Sequence, residues 1–257
     1  MKFRNKIFAL SAATAAAALI KETAQNSIQL PEGFTLTAHT GCEGTKDNSL
    51  DAITVGYVSG ADIVEFDLFF DVNNNAVLSH DMPMGKAVTL DEAFCHIKKF
   101  PGLKVNVDVK VTNDLLQVKE CAEKYGILDR IFYTGITPEY ADAVQKSTPE
   151  IPYYLNISVD KNKNNDGEYI SSLIEEVKKA GAIGINMHFR GCSKLLVEKF
   201  REAGLLVSLW TVNNRFDMKK VLFMEPDNIT TRKPAAYYGI ICDITGKEPQ
   251  DRTPEYF

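Results

Sequence analysis

The chain has 257 residues, 45% hydrophobic and 25% charged, which is ordinary for a globular protein. That length fits one large domain or two small ones, and single α/β barrels commonly run to about 250 residues. The net charge of −5 provides no basic footprint, which argues against a nucleic-acid partner and leaves any anionic substrate to be met by a metal or a few placed cations.

The first residues, MKFRNK, are basic, and an alanine-rich, uncharged run from 7 to 20 ends at Lys21. This pattern resembles a secretory signal or a weak membrane anchor, although it is shorter than the ~20 apolar residues of a spanning helix. Residues 1–25 are therefore expected to export the chain or attach it to a membrane, with 26–33 a linker and 34–257 one barrel domain. Five cysteines, at 42, 95, 121, 192 and 242, lack CxxC spacing. A zinc site or disulfide framework is not expected, and Cys42 reads as a small packing residue.

From residue 34 onward apolar runs alternate with amphipathic stretches. Strands are predicted at 35–39, 63–69, 104–109, 130–134, 153–157, 183–188, 205–212 and 228–231. Helices are predicted at 49–58, 89–98, 115–125, 138–146, 168–180, 193–203 and 216–223, several of them followed by a terminating glycine. Repeated strand–helix units imply a parallel sheet, and eight of them in one domain predict a (β/α)8 TIM barrel. No glycine-rich phosphate loop follows any strand, which weakens an open dinucleotide-binding sheet. FDVNNNAVLSHD reads as an extra hairpin between strands two and three, turning at Asn73–Asn75 and carrying His80 back over the mouth.

In such barrels the site sits at the C-terminal strand ends. There His39 ends strand one, Glu65 and Asp67 occupy the second half of strand two, and Asp108 and Lys110 end strand three. Residues i and i+2 of a strand share a face, so Glu65 and Asp67 form one clamp. Asp108 lies beside the Lys110 cation in the same way. Acids inside the apolar run IVEFDLFF are costly to bury unless paired or coordinated. Asp108 in VNVDVKV repeats the anomaly, and three carboxylates suit a hard cation, one magnesium or calcium ion.

Lys110 is either an ion-pair partner or the cation for a phosphate oxygen. Asp81 either orients the His80 imidazole or caps its loop. His96 reads as a solvated helix residue, and His188 ends strand six facing either the mouth or the barrel wall. Trp210 and Asn213 end strand seven, with Trp210 a core aromatic or a wall of the substrate pocket.

In combination these segments resemble the glycerophosphodiester phosphodiesterase family, within the barrel phosphodiesterases that include phosphatidylinositol phospholipase C-like and sphingomyelinase D-like enzymes. The matching segments are His39-Thr40-Gly41, Asp47-Asn48-Ser49, Gly60-Ala61-Asp62 with Glu65 and Asp67, and His80-Asp81. They continue with Val107-Asp108-Val109-Lys110, Trp210-Thr211-Val212-Asn213 and Ile229-Thr230-Thr231. The resemblance implies a divalent metal on Glu65, Asp67 and Asp108, with His39 and His80 as the acid–base pair. It also implies phosphate contact by Lys110, a pocket wall at Trp210, and hydrolysis of glycerophosphodiesters to glycerol 3-phosphate and an alcohol. A lysophospholipid or sphingophospholipid substrate, with a cyclic product, is the nearest enzymatic alternative. A phosphodiester-binding barrel without turnover is a further one. Several positions depart from the family pattern. Thr40 stands where the family has arginine, Asp47 where it has glutamate, and Arg232 where it has a late aspartate; the third metal acid is aspartate, as in the sphingomyelinase D group.

Overall fold

A computed structural model describes residues 28, 30–246, 248 and 252. The segment expected to export or anchor the chain, 1–25, lies outside the described residues, among which no helix is long and apolar enough to cross a membrane.

In chain order the strands are β1 (Thr35–Ala38), β2 (Ile63–Phe70), β3 (Ala76–Leu78), β4 (Val88–Thr89), β5 (Lys104–Val109), β6 (Ile131–Ile136), β7 (Tyr153–Asn156), β8 (Gly184–His188), β9 (Leu206–Trp210) and β10 (Asn228–Thr231). The helices are α1 (Leu50–Val58), α2 (Leu90–Ile97), α3 (Leu116–Tyr125), α4 (Pro138–Ser147), α5 (Gly167–Lys179), α6 (Lys194–Glu202), α7 (Arg215–Leu222) and α8 (Pro234–Thr245). Eight strands run parallel in the order β1-β10-β9-β8-β7-β6-β5-β2, and a β1–β2 pairing closes them into the predicted (β/α)8 barrel. Each strand end agrees with its sequence expectation to within two residues.

The hairpin also forms: β3 returns antiparallel on the last three residues of β2, and β4 extends it. This changes where the acids lie. Glu65 and Asp67 sit near the middle of β2 rather than in its second half, because the end of that strand leaves the barrel. Asp67 is nonetheless level with Asp108 near the end of β5, through the pairing Asp67↔Asp108. The eighth helix, α8, went unpredicted. Its residues, PAAYYGIICDIT, carry no strong amphipathic stripe, but Pro234 at the first turn is a usable start signal.

Alternation within β5 shows how the layers separate. Val105, Val107 and Val109 are at most 1% exposed in the hydrophobic core, while Asn106 and Asp108, on the opposite face of the strand, line the mouth cavity. Inside the barrel, polar side chains satisfy one another. Thr37 donates to Asn228 Oδ1 at 2.8 Å, Asn228 to Ser208 Oγ at 2.9 Å, Thr134 to Asn106 Oδ1 at 2.9 Å and Asn186 to Asn156 Oδ1 at 3.1 Å. A buried polar belt of this kind is tolerated because its groups find partners. Local sequence also sets the helix starts. Thr89 and Glu92 form a reciprocal capping box on α2, and Asp166 accepts the Glu168 and Tyr169 amides at the start of α5. His96 on α2 is half-buried rather than solvated. It shares a 2.7 Å hydrogen bond with Thr54 and packs edge-on against Phe100, and desolvation pulls its imidazole below the ordinary range.

Candidate active site

A cavity of about 710 Å³ opens at the C-terminal ends of the barrel strands. His39, Glu65, Asp67, His80, Asp108 and Lys110 all line it. One carboxylate oxygen from each of Glu65, Asp67 and Asp108 lies within 4.8 Å of the others.

Each acid is held by its neighbours. Glu65 accepts the Thr40 amide at 2.7 Å. Asp67 and Asn48 form a reciprocal pair: Asn48 Nδ2 donates to Asp67 Oδ2 at 2.9 Å, and the Asp67 amide donates to Asn48 Oδ1 at 3.0 Å. Thr134 donates to Asp108 Oδ1 at 2.8 Å. Behind Asp108 the chain passes so closely that a Cβ on Gly135, whose φ is +76°, would lie 2.3 Å from the Val109 carbonyl and 2.8 Å from Asp108 Oδ1. Lys110 ion-pairs with Asp67 Oδ1 at 2.9 Å and also with Asp108. Burial alone would lower the Lys110 pKa, but the Asp108 and Asp67 charges overcome that and hold the ammonium above its usual range.

One cation against three acids leaves excess negative charge. Burial pushes the Glu65 carboxyl up to about 7; the Asp67 and Asp108 charges add to the rise, while His39 and the Thr40 amide oppose it. A carboxyl driven towards its neutral form beside two others marks a donor set short of positive charge. Three converging hard oxygens with that deficit fit a divalent cation such as magnesium or calcium.

The two imidazoles differ in their fixing. His39 Nδ1 lies 2.8 Å from the Thr40 carbonyl and 3.7 Å from Glu65 Oε2. Both are acceptors, so Nδ1 carries the proton and Nε2 keeps the basic lone pair. His80 is 67% exposed, on the chain returning from the hairpin, with Nδ1 3.1 Å from Asp81 Oδ2. Asp81 thus contacts the imidazole and does not line the cavity.

A family model for the "Glycerophosphoryl diester phosphodiesterase family" matches residues 83–236, well over half of the chain. The chain belongs to the glycerophosphoryl diester phosphodiesterase family. It is accordingly a phosphoric diester hydrolase. Solved structures share the fold at low identity. A phosphodiesterase of Oleispira antarctica, in complex with the product sn-glycerol-3-phosphate, aligns with a TM-score of 0.67 at 18% identity over 82% of this chain and 97% of its own. A glycerophosphodiester phosphodiesterase of Parabacteroides distasonis aligns at 0.65 and 17%, over 83% and 98%. Another, from Thermotoga maritima, aligns at 0.63 and 18%, over 80% and 98%. A search of curated protein sequences finds no match.

Among the remaining expected site residues of this phosphodiesterase, Asp47, Asn48 and Trp210 line the cavity. Trp210 is a half-buried wall rather than a core aromatic, with its Nε1 buried and without a hydrogen-bond partner among the described residues. His188 lies outside the main cavity, in an adjoining lobe. Asn213 serves the backbone, accepting the Arg232 amide at 2.8 Å. Thr40 does not stand in for the family's arginine. It is buried, and its hydroxyl accepts the Asn48 amide at 2.5 Å, tying the Asp47–Asn48 loop to β1. Arg232 reaches the rim and pairs with Asp47 Oδ1 at 2.7 Å. Sequence reasoning missed the polar floor of Asn106, Thr134, Asn156 and Asn186. Polar residues recurring at period two inside apolar strands were the signal that could have found it.

Proposed function

We propose that the chain hydrolyses glycerophosphodiesters to glycerol 3-phosphate and an alcohol, with His39 and His80 as the proton-transfer pair. The observation that carries this reading is that both imidazoles share one cavity with the acid cluster and Lys110. His39, with Nδ1 fixed on a carbonyl, accepts at Nε2 the proton of the nucleophilic oxygen. His80, oriented by Asp81, gives a proton to the alcohol oxygen as its bond to phosphorus breaks. Water is consumed: its hydroxyl ends on phosphorus and a proton ends on the alcohol. Lys110 neutralises charge on a non-bridging oxygen. Magnesium or calcium, when bound by Glu65, Asp67 and Asp108, polarises the phosphoryl group as a Lewis acid.

The direct test is incubation with glycerophosphocholine and added magnesium or calcium, followed by phosphorus NMR. Glycerol 3-phosphate is the expected product. A persistent cyclic phosphate, or an unchanged diester with both cations, overturns the reading.

A further inference from the structure

Beside the catalytic cavity lies a second lobe of about 380 Å³, within the usual range of small-molecule sites. The two share Asn156, Asn186 and Trp210 as a common wall, so the lobe opens from the place where the phosphodiester is read to sit. Its chemistry differs from that of the main cavity. Lys161, His188 and Arg190 line it, and among the described residues no acid does. In a chain of net charge −5 this is a local reversal of sign.

The cations of the lobe are uncommitted. No carboxylate lies within ion-pair distance of Lys161 or Arg190 among the described residues, whereas Lys110 is bound to two acids. Arg190 is positioned by stacking, its guanidinium carbon 5.6 Å from the Phe189 ring centroid. His188 is also fixed: its ring stacks on Phe189 and meets Trp210 edge-on at 5.5 Å. Its Nδ1 accepts the Arg190 amide at 3.3 Å, so in the neutral ring Nε2 carries a free N–H. Burial, helped by Arg190, favours that neutral ring. An aromatic wall alone would suit an ammonium head group. Two unpaired cations with no acid beside them reject one and favour an anion.

Resting on the phosphodiesterase reading above, we propose that this lobe binds a second anionic group of the substrate. The preferred diesters would then carry a further phosphate or carboxylate beyond the bond that is cut. Lys161 and Arg190 would be the specificity-determining residues and His188 a neutral donor.

The probes are a matched pair, bis(glycerophospho)glycerol and glycerophosphoglycerol, which differ by one glycerophosphate unit. Binding is measured by calorimetry on the His39→Ala protein, so that turnover does not enter, and kcat/KM is measured on the unmodified enzyme. The expected result is a preference for the bis-phosphodiester of at least about tenfold in both measurements, the scale of a lost charge-assisted contact. In Lys161→Ala/Arg190→Ala the ratio should fall to near one. Both side chains are exposed, so this variant should keep its fold, and Lys161→Glu should invert the preference. Equal affinity for the two probes, or a preference that survives the double substitution, overturns the proposal. A charge-dependent binding preference without turnover of either diester would instead support the lobe and reject the hydrolytic reading.

Discussion

The Thr40 amide donates to Glu65 Oε2 at 2.7 Å, while the Thr40 carbonyl takes the proton of His39 Nδ1 at 2.8 Å. One peptide segment thus fastens the metal-ligand strand and sets the tautomer of the neighbouring base. Position 40 does this through its backbone, so its side chain is free to vary, and here the threonine hydroxyl holds the Asn48 loop.

His39→Ala and His80→Ala should each lower kcat/KM on glycerophosphocholine by at least about a hundredfold, the scale of a lost acid or base. His80 is exposed, so its loss should leave the melting temperature unchanged. His39 is more enclosed and near Glu65, and its removal should give a small shift. Near-normal turnover in either variant removes that residue from proton transfer.

Chelation should abolish activity, and readded magnesium or calcium should restore it, because Glu65, Asp67 and Asp108 supply three hard donors around one point. Asn48→Ala tests the supporting layer. It deletes both hydrogen bonds to Asp67, so the cation concentration giving half-maximal activity should rise about 10- to 100-fold, as for other losses behind a metal ligand. An unchanged cation requirement would show that Lys110 alone holds Asp67 in place.

Much of this was legible from residue order, for physical reasons. Glu65 and Asp67 stood out because acids in an apolar strand are expensive, and strand periodicity put them on one face. The hairpin was legible from Asn73–Asn75 and the apolar return. Other features depend on tertiary context. Nothing near Thr40 shows that its hydroxyl turns towards Asn48. Asp47 and Arg232 pair across most of the chain. His96 looked solvated because its own helix is polar, and its partner Thr54 comes from a different helix. Helix α8 was missed because its apolar residues spread around the axis and obscure the helical period.

Cation binding should release a proton. The Glu65 carboxyl is raised by burial to about 7 from an ordinary value of 4.5, so in the metal-free fold it stays largely neutral at mildly acidic pH. A raised carboxyl contributes stability that is fully present below its ordinary value and lost as pH rises through the folded value. The metal-free melting temperature should therefore fall between about pH 4.5 and 7 from this group, while the increment given by cation should grow over the same window. Glu65→Gln should flatten the metal-free slope, and a pH-independent increment would rule out the coupling. Melting curves with and without cation at several pH values make the measurement.

Gly135→Ala tests whether the acid cluster depends on close packing behind it. The left-handed backbone at φ +76° costs an alanine about 1–2 kcal/mol. The new Cβ would also meet the Val109 carbonyl at 2.3 Å and Asp108 Oδ1 at 2.8 Å. The backbone oxygen is fixed in the barrel, so relief must come from moving the β6 segment or turning Asp108 away from Thr134. Either movement spoils the three-oxygen convergence. Both the melting temperature and cation affinity should fall, and high cation should rescue turnover only in part. A Gly204→Ala control, also at positive φ (+74°) but with nothing within 4 Å of its Cβ, should lower stability alone. If Gly135→Ala behaves like that control, Asp108 is held by Thr134 and Lys110 and does not need the space behind it.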